Sequence, residues 1–489
     1  MITTGRIKAI PDELMDEEIL KPQFEYEVEY LLKWYVEIEK VLLAEYKRMG
    51  YISDSESKKI ASTLNKIAQN GLFANNATNM SDIAFAIEEQ IQENIEDNSY
   101  AWHVDRSRND FQSCAQVMFG REQVLEIADK LLQLADIVYK LAVKTTDIPM
   151  PGYTHYQAAQ IISPGFYLSA LYEQLINSSK RMLEVYDSIN KCPLGAGAMA
   201  GQELEWDRER MAELLGFSSP QRHALVSVAS REWVIGISGE LSALSATLSR
   251  FVSDLMMWGS GEYRFIELPD QLAGISSAMP QKKNYPILER IRGRTAHITS
   301  FHIDFLMAQR STAFTNLVEV SKEAGKYVIT MFKEMKSIFK LLSLVIENLT
   351  FNEKRMMMVC KREYLGGFTL ANLLTLNSKI PYRKAQIIAG QYIKRSIDQD
   401  IHSEEANLEL LEEVCKEEGY SHKLTHDAFK DALSTLSNLH SKQSLGSTSP
   451  KKVKELLHDQ YNDFEQIYCN WNQRKKSISE ALEKLQLQL

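Results

Sequence analysis

The sequence predicts an all-α protein in which long helices pack side by side in a bundle. Glycine and proline are scarce, 22 and 12 in 489 residues, and no proline lies between Pro22 and Pro149 or between Pro286 and Pro381. Because proline interrupts helices, these gaps permit long uninterrupted ones. Apolar residues recur at three- and four-residue steps in several stretches, whereas alternating strand patterns are scarce.

The clearest helical stretch runs from Leu225 to Trp258, and three further segments show the same apolar spacing: 120–143, 164–185 and 290–349. We expect an interruption of the last segment near Ser311. A helix of some thirty residues is about 45 Å long by its rise alone, longer than a small domain. Its apolar sides need parallel neighbours, which is why a bundle is predicted.

Composition and charge exclude several classes of protein. The chain has 56 Lys and Arg against 65 Asp and Glu, a net charge of −9, and no basic block that would suit a nucleic acid. No apolar stretch approaches the roughly 18 residues of a membrane span, and the first residues lack the apolar segment of a signal peptide. Five widely separated cysteines fit a reducing compartment. We predict a cytoplasmic protein with neither nucleic acid nor membrane as partner.

Residues that break helices gather in four places: 147–152, 192–197, 267–286 and 364–367. In a chain so poor in glycine and proline, such clusters mark where the backbone leaves the helical path. Binding and catalytic residues are disproportionately found on loops of this kind. We therefore expect the functional residues near these segments.

Two polar motifs are candidates for chemistry. The segment 103–110 places Arg106, Ser107, Arg108 and Asn109 ahead of a helical stretch, where guanidinium groups and helix-start amides suit a carboxylate ligand. The same residues would also serve as a solvated helix cap. In the second motif, His155 follows a Pro-Gly turn and is either a general acid or base, or a structural histidine.

A third motif is a loop of small residues, 274–284, that contains Ser276 and Lys282 and is followed by Glu289. Such a loop can hold an anion through backbone amides and a lysine charge, or it can be a flexible surface loop. The sequence has no Gly-x-Ser-x-Gly elbow, no Walker loop and no His-Glu-x-x-His. It therefore lacks the core motifs of the hydrolase, nucleotidase and zinc-peptidase classes.

Taken together and in this order, the motifs resemble the fumarase/aspartase superfamily, whose signature is Gly-Ser-Ser-x-Met-Pro-x-Lys-x-Asn, and within it the argininosuccinate lyases. The resemblance covers roughly residues 1–455. It implies an N-terminal helical domain (1–106), a central long-helix bundle (107–362) and a C-terminal helical domain with a tail (363–489). It also implies a homotetramer in which three subunits build each active site.

The resemblance further implies the reaction and the roles of residues. An N-succinyl amine substrate is cleaved by β-elimination to fumarate and free amine, with no cofactor and no metal. Ser276 is the base, supported by Lys282 and the loop amides, and His155 is the acid that meets the leaving amine and pairs with Glu289. The residues expected to bind substrate are Ser107, Arg108, Asn109, Thr154, Asn284, Arg231, Lys322 and Glu319.

Several positions depart from the argininosuccinate lyase pattern. Phe314 and Glu319 stand where those enzymes have tyrosine and glutamine, whereas Lys322 is kept. Ala84 replaces a family histidine, and Ile275 replaces the glycine before the serine pair. Another departure is the start motif, which is reduced to residues 3–7.

The changes at 314 and 319 fall on the side of the site that is expected to bind the amine half of the substrate. We therefore hypothesise an N-succinyl amine other than argininosuccinate, one with a cationic group facing Glu319. Two alternatives remain: a true argininosuccinate lyase, and a non-catalytic structural paralogue, against which the presence of Ser276 and His155 argues. The lysine- and leucine-rich tail from Lys451 to Leu489 is expected to form a helix that packs on its own C-terminal lobe.

Overall fold

Helices dominate the computed structural model, which describes residues 9–73, 83–94 and 100–489. The start motif at residues 3–7 lies outside this part. The N-terminal region contains α1 (Glu13–Met15), a π-helical turn (Asp16–Leu20), α2 (Lys21–Tyr30), α3 (Leu32–Arg48), α4 (Asp54–Asn70) and α5 (Ile83–Asn94).

The remaining helices follow in two groups. The first comprises α6 (Arg108–Lys144), α7 (Pro164–Ile189), α8 (Arg208–Leu214), α9 (Ala224–Ala229), α10 (Glu232–Trp258), α11 (Pro286–Gln309), α12 (Val318–Ser321), α13 (Val328–Asn348) and α14 (Glu353–Arg362). The second comprises α15 (Gly367–Ser378), α16 (Tyr382–Asp398), α17 (Leu408–Glu417), α18 (His426–Leu433), α19 (Thr435–His440) and α20 (Pro450–Gln486).

Short strands form four two-stranded pairs within the described residues. Antiparallel pairs are β1 (Met150–Thr154) with β2 (Gln157–Ile162), β5 (Ile266–Glu267) with β8 (Thr350–Phe351), and β6 (Gly274–Ile275) with β7 (Lys283–Asn284); β3 (Lys191–Cys192) and β4 (Ser219–Pro220) are parallel. At least one strand of each pair overlaps a predicted breaker segment, whereas β2, β4 and β8 lie outside these segments. The all-α fold class is confirmed, with these strands as local exceptions.

The long helices form the predicted bundle. α6 packs against α7 and α13, and α10 packs against α7 and α11. Their facing sides share one apolar core that includes the buried residues Leu131, Tyr172, Leu241 and Phe339. Ser107 caps the start of α6 and Ser163 that of α7, so the bundle helices begin at side chains that satisfy free amides.

The stretch from Leu225 to Trp258 is two helices rather than the single one predicted. α9 ends at Ala229, and α10 begins at Glu232. Ser230 has an extended backbone, and its hydroxyl accepts a hydrogen bond from the Glu232 amide at 3.2 Å. A serine side chain that bonds the backbone in this way competes with helix continuation, which explains the break just before Arg231.

The expected interruption near Ser311 is confirmed, and it is longer than the sequence indicated. α11 ends at Gln309 and α13 begins at Val328, with α12 and a 3₁₀ turn (Glu323–Gly325) between them. Ser311 has a left-handed backbone with φ of 64°. Residues 314, 319 and 322 therefore lie on the segment between α11 and α13 rather than on a long bundle helix.

The helices α15 to α18 have a hydrophobic core of their own, which includes Leu374, Ile388, Tyr392 and Phe429. This separate core is compatible with a C-terminal domain, and the boundaries at 106/107 and 362/363 stay predictions. None of the helices in the described part of the chain is both long and apolar enough to cross a membrane.

The C-terminal tail is a helix, but it does not pack where we expected. α20 lies along α7 and α6 of the central bundle rather than on the C-terminal lobe. Trp471 is fully buried and donates to the Ser179 hydroxyl at 3.0 Å. Arg474 pairs with Asp187 of α7 at 2.6 Å. α20 has 37 residues, as many as α6 of the bundle, whereas α16 of the C-terminal lobe has 17, so the bundle offers the longer flank.

Candidate active site

The N-terminal end of α6 presents the first group of predicted residues. The Ser107 hydroxyl accepts a hydrogen bond from the Asn109 amide at 3.2 Å, and the Arg108 guanidinium lies 4.6 Å from the centre of the Phe85 ring. Asn109 donates through Nδ2 to the Ala198 carbonyl at 3.0 Å. A guanidinium and a helix start lie here together, an arrangement that attracts carboxylates.

Asp110 holds the loop that meets this helix start. It is buried, and one carboxylate oxygen accepts from the Gly195 and Gly197 amides at 2.9 and 3.0 Å. Burial raises the pKa of Asp110 to about 6, although these amide hydrogen bonds act to lower it. Gly197 has φ of 60°, and a Cβ there would lie 2.4 Å from the Gly201 carbonyl oxygen, so glycine is required.

Asn316 connects Asn109 with Arg231. Its Nδ2 donates to the Asn109 Oδ1 at 2.8 Å, and its Oδ1 accepts from the Arg231 Nη2 at 3.4 Å. Arg231 is buried, which lowers its pKa to about 10, and its Nη1 donates to the Val228 and Ser230 carbonyls at 3.0 and 2.8 Å. Sequence reasoning missed Asn316, since no motif surrounds it.

His155 lies at the tip of the hairpin formed by β1 and β2. His155 and Tyr156 form a two-residue turn with φ of 52° and 59°, so both are left-handed. Two positive φ angles define a type I′ turn, which matches the twist of paired strands but is costly for residues other than glycine or asparagine. His155, Tyr156 and the adjacent Thr154 are exposed. The hairpin therefore projects the predicted acid away from its own subunit's core.

Ser276 lies on a second hairpin, built from β6 and β7. Its Oγ accepts hydrogen bonds from the Met279 and Ala278 amides at 3.0 and 3.4 Å. Donors aimed at a hydroxyl oxygen favour its negatively charged form. Lys282 is exposed on the same loop.

The base of this second hairpin is tied to the preceding segment. Lys283 forms ion pairs with Glu267 at 3.2 Å and Asp270 at 2.9 Å. Asn284 is half-buried on β7, and Glu289 is exposed in the first turn of α11. The Ile275 side chain, where the resembling family has glycine, is 95 % exposed and so contacts little of this subunit.

Positions 314, 319 and 322, which the resemblance assigns to the amine half of the substrate, differ in exposure and in pairing. Phe314 is 63 % exposed, and Glu319 is exposed in the first turn of α12. Lys322 forms an ion pair with Glu27 of α2, a carboxylate that is only 2 % exposed. A lysine predicted to bind substrate is thus already neutralised by a residue of its own chain.

Within a single chain the predicted residues fall into separate groups. Asn109 and Arg231 are brought together, through Asn316. Over the described ranges, no hydrogen bond or ion pair joins His155 to Glu289 or links Ser276 to the start of α6. The catalytic and binding roles of these residues stay predictions.

Comparison with known proteins identifies the family. A family described as "Lyase" matches residues 5–299, more than half of the chain. Argininosuccinate lyase 1 of Shouchella clausii (strain KSM-K16) is 29 % identical over 484 residues, covering 98 % of this chain and 96 % of the relative. The argininosuccinate lyase of Lachnospira eligens is 30 % identical over 421 residues, covering 85 % and 89 %.

Solved structures agree with this fold. EDDS lyase in complex with formate superposes with a TM-score of 0.84 at 24 % identity, covering 98 % of this chain and 96 % of that one. A class II fumarase from Schistosoma mansoni gives a TM-score of 0.65 at 15 % identity, covering 84 % and 90 %. The chain therefore belongs to the lyase family as an argininosuccinate lyase-like member of the fumarase/aspartase superfamily, a carbon–nitrogen lyase that releases fumarate.

Proposed function

We propose that this lyase cleaves an N-succinyl amine, other than argininosuccinate, by β-elimination to fumarate and the free amine. The observation that carries the proposal is the ion pair between Lys322 and the buried Glu27. The curated relatives are argininosuccinate lyases, and the resemblance assigns this lysine to their amine side. Here its charge is satisfied internally, and Phe314 has lost the hydroxyl of the family tyrosine.

Ser276 removes the proton beside the carboxylate in this proposal. A serine hydroxyl is a poor base in water, so its ionised form needs preorganised donors. The Met279 and Ala278 amides point at its Oγ and supply two such donors. Lys282 and Asn284, on the same hairpin, stabilise the negative charge that moves into the substrate carboxylate.

His155 protonates the leaving amine, and Glu289 pairs with this histidine to raise its basicity. The two residues do not meet within one chain. We propose a homotetramer in which different subunits contribute the α6 start, the His155 hairpin and the Ser276 hairpin to one site. The exposure of both hairpin tips supports this arrangement. A cytoplasmic location is part of the same proposal.

Argininosuccinate is the second candidate substrate, because the curated relatives at 29–30 % identity are argininosuccinate lyases over nearly the whole chain. The test follows fumarate by its ultraviolet absorbance, first as release from argininosuccinate and then as consumption in the presence of amines. Ser276→Ala is the control. If fumarate is released from argininosuccinate and Ser276→Ala abolishes the release, the proposal of an amine other than that of argininosuccinate is overturned. If fumarate is neither released from argininosuccinate nor consumed with any amine, the proposed reaction is overturned.

A further inference from the structure

The segment that leads into α6 is strained at two residues that are not glycine. His103 and Asp105 have φ of 83° and 60°, both in the left-handed region. Residues with a side chain rarely adopt this region, and they keep it only where neighbouring contacts impose it. Asp105 lies two residues before Ser107, the cap of α6. The contacts that impose this backbone therefore lie directly beside the first residues of that helix.

One oxygen of the Asp105 carboxylate holds a loop that is distant in the chain. Its Oδ2 accepts hydrogen bonds from the Glu203 and Leu204 amides at 2.9 and 2.8 Å, and from the Trp206 indole nitrogen at 2.9 Å. The backbone carbonyl of Asp105 accepts another from the Gln202 Nε2 at 2.6 Å. Hydrogen bonds to a carboxylate are roughly twice as strong as those between neutral groups. Asp105 therefore ties this loop firmly to the entrance of α6.

A second aspartate, Asp110, holds the other end of the same loop. Its carboxylate accepts hydrogen bonds from two glycine amides near the beginning of the segment 195–206, whereas Asp105 holds the end of that segment. Between these two attachments, Asn109 donates to the Ala198 carbonyl at 3.0 Å. The residues expected to bind substrate at the start of α6 thus lie between the two aspartates in the chain, and one of them contacts the loop directly.

Other contacts hold the neighbours of Asp105, but they hold them to a different element. The Tyr46 hydroxyl of α3 donates to the Val104 carbonyl at 2.6 Å, and Arg106 pairs with a buried glutamate of α3 at 2.5 Å. These contacts fix the segment to α3, whereas those of Asp105 fix it to the loop 202–206. Loss of the Asp105 carboxylate would therefore release the loop from the start of α6 while the segment stays attached to α3.

We infer that Asp105 is a positioning residue for fumarate, because its carboxylate fixes the segment 195–206 against the start of α6. Ser107, Arg108 and Asn109 are thereby held in the geometry that binds a carboxylate of fumarate. A guanidinium and helix-start amides bind a planar anion well only when their mutual positions are fixed beforehand. The inference rests on the proposed function, which places the start of α6 in the active site, and it adds a residue that itself touches no substrate.

The test measures the binding of fumarate alone to the full-length protein by titration calorimetry. This measurement separates the dissociation constant from the number of sites, and a variant that merely misfolds has fewer sites with an unchanged dissociation constant. Asp105→Gly removes the three contacts of the carboxylate, and glycine adopts the left-handed backbone without strain. We expect the dissociation constant to rise at least about tenfold with the number of sites unchanged, since a small misplacement of binding groups has an effect of that size.

Two variants serve as controls. Asp400, just after α16, is also left-handed with φ of 55°, but it is exposed, and no hydrogen bond within the described part of the chain reaches its side chain. Asp400→Gly should therefore leave fumarate binding unchanged. Asp105→Asn keeps an oxygen at the acceptor position, and asparagine also tolerates this backbone, so this variant should weaken fumarate binding clearly less than Asp105→Gly does.

Trp206→Phe tests the same contact from the side of the loop. Phenylalanine keeps an aromatic ring against Tyr46, whose ring centre lies 5.0 Å from that of Trp206, and removes only the indole donor. Trp206→Phe alone should weaken fumarate binding about two- to fivefold, as expected for the loss of one hydrogen bond. Added to Asp105→Gly it should have no further effect, because the acceptor is then already absent.

An unchanged dissociation constant in folded Asp105→Gly would overturn this inference while the proposed function stands. So would an equally large loss of affinity in Asp400→Gly or in Asp105→Asn, or effects of Asp105→Gly and Trp206→Phe that simply add. If Asp105→Gly fails to fold, Trp206→Phe decides, and unchanged fumarate binding in that variant overturns the inference. If the unmodified protein binds no fumarate, both the inference and the proposed function are overturned.

Discussion

Asp110→Asn should change how the stability of the protein depends on pH. In the folded protein burial raises the pKa of Asp110 from 3.8 to about 6. A raised pKa means that the folded state keeps its proton while the unfolded state has lost it. The stabilisation is therefore fully present below pH 3.8 and is lost as pH rises through about 6. A difference of about two pKa units at 1.36 kcal/mol each corresponds to roughly 3 kcal/mol.

The measurement is the free energy of unfolding in urea, followed by tryptophan fluorescence at several pH values between about 4 and 8. Asparagine cannot ionise, so the stability of Asp110→Asn relative to the unmodified protein should rise by roughly 2.5 kcal/mol over this interval, the remainder of the change lying below pH 4. Asp398→Asn, at an exposed aspartate of α16, is the control and should show no comparable rise. A stability difference for Asp110→Asn that does not vary with pH would refute the reasoning.

Three further changes test the site and the packing. Ser276→Ala should lower fumarate release or consumption by at least about 10²-fold with an unchanged circular dichroism spectrum; retained activity would remove Ser276 as the base. Trp471→Ala should destabilise the protein by about 3–5 kcal/mol in urea, because the side chain is fully buried against the bundle. Tyr468→Ala, on the exposed side of α20, is the control and should cost about 1 kcal/mol or less. Equal losses of stability in the two variants would argue against the packing of the tail. Gly165→Ala should cost about 1–3 kcal/mol because its Cβ would lie 2.5 Å from a backbone carbonyl oxygen, whereas Gly390→Ala, with open space around it, should be neutral or slightly stabilising in thermal melts.

Apolar periodicity and the long gaps between prolines predicted the long helices well, because both signals concern residues that lie within about one helical turn of each other. α7 ends four residues beyond the predicted segment 164–185, and α6 begins at Arg108, twelve residues before the predicted segment 120–143. The interruption near Ser311 is present. The break at Ser230 was missed, since apolar spacing continues across it and one hydrogen bond from a serine hydroxyl decides the outcome. The direction in which α20 packs was also missed, because an amphipathic face does not specify its partner.

Motif order predicted which residue types form the candidate site and which family the chain belongs to. It did not reveal Asn316, which acts through contacts with Asn109 and Arg231, residues far from it in the chain. Nor did it reveal that Glu27 neutralises Lys322, since 295 residues separate them. Interactions of this kind depend on how α2, α6 and α10 are packed, and no local pattern encodes them.

The sequence by itself determined the helical fold class and the lyase family, because helix periodicity and short motifs are properties of neighbouring residues. Only the tertiary structure decided which charged side chains remain available to bind a ligand. It paired Lys322 with Glu27, left Arg231 buried with no ion pair to a carboxylate among the described residues, and linked Arg231 through Asn316 to the start of α6. Burial and pairing are consequences of distant segments meeting, and they decide whether a charge is free to bind a ligand.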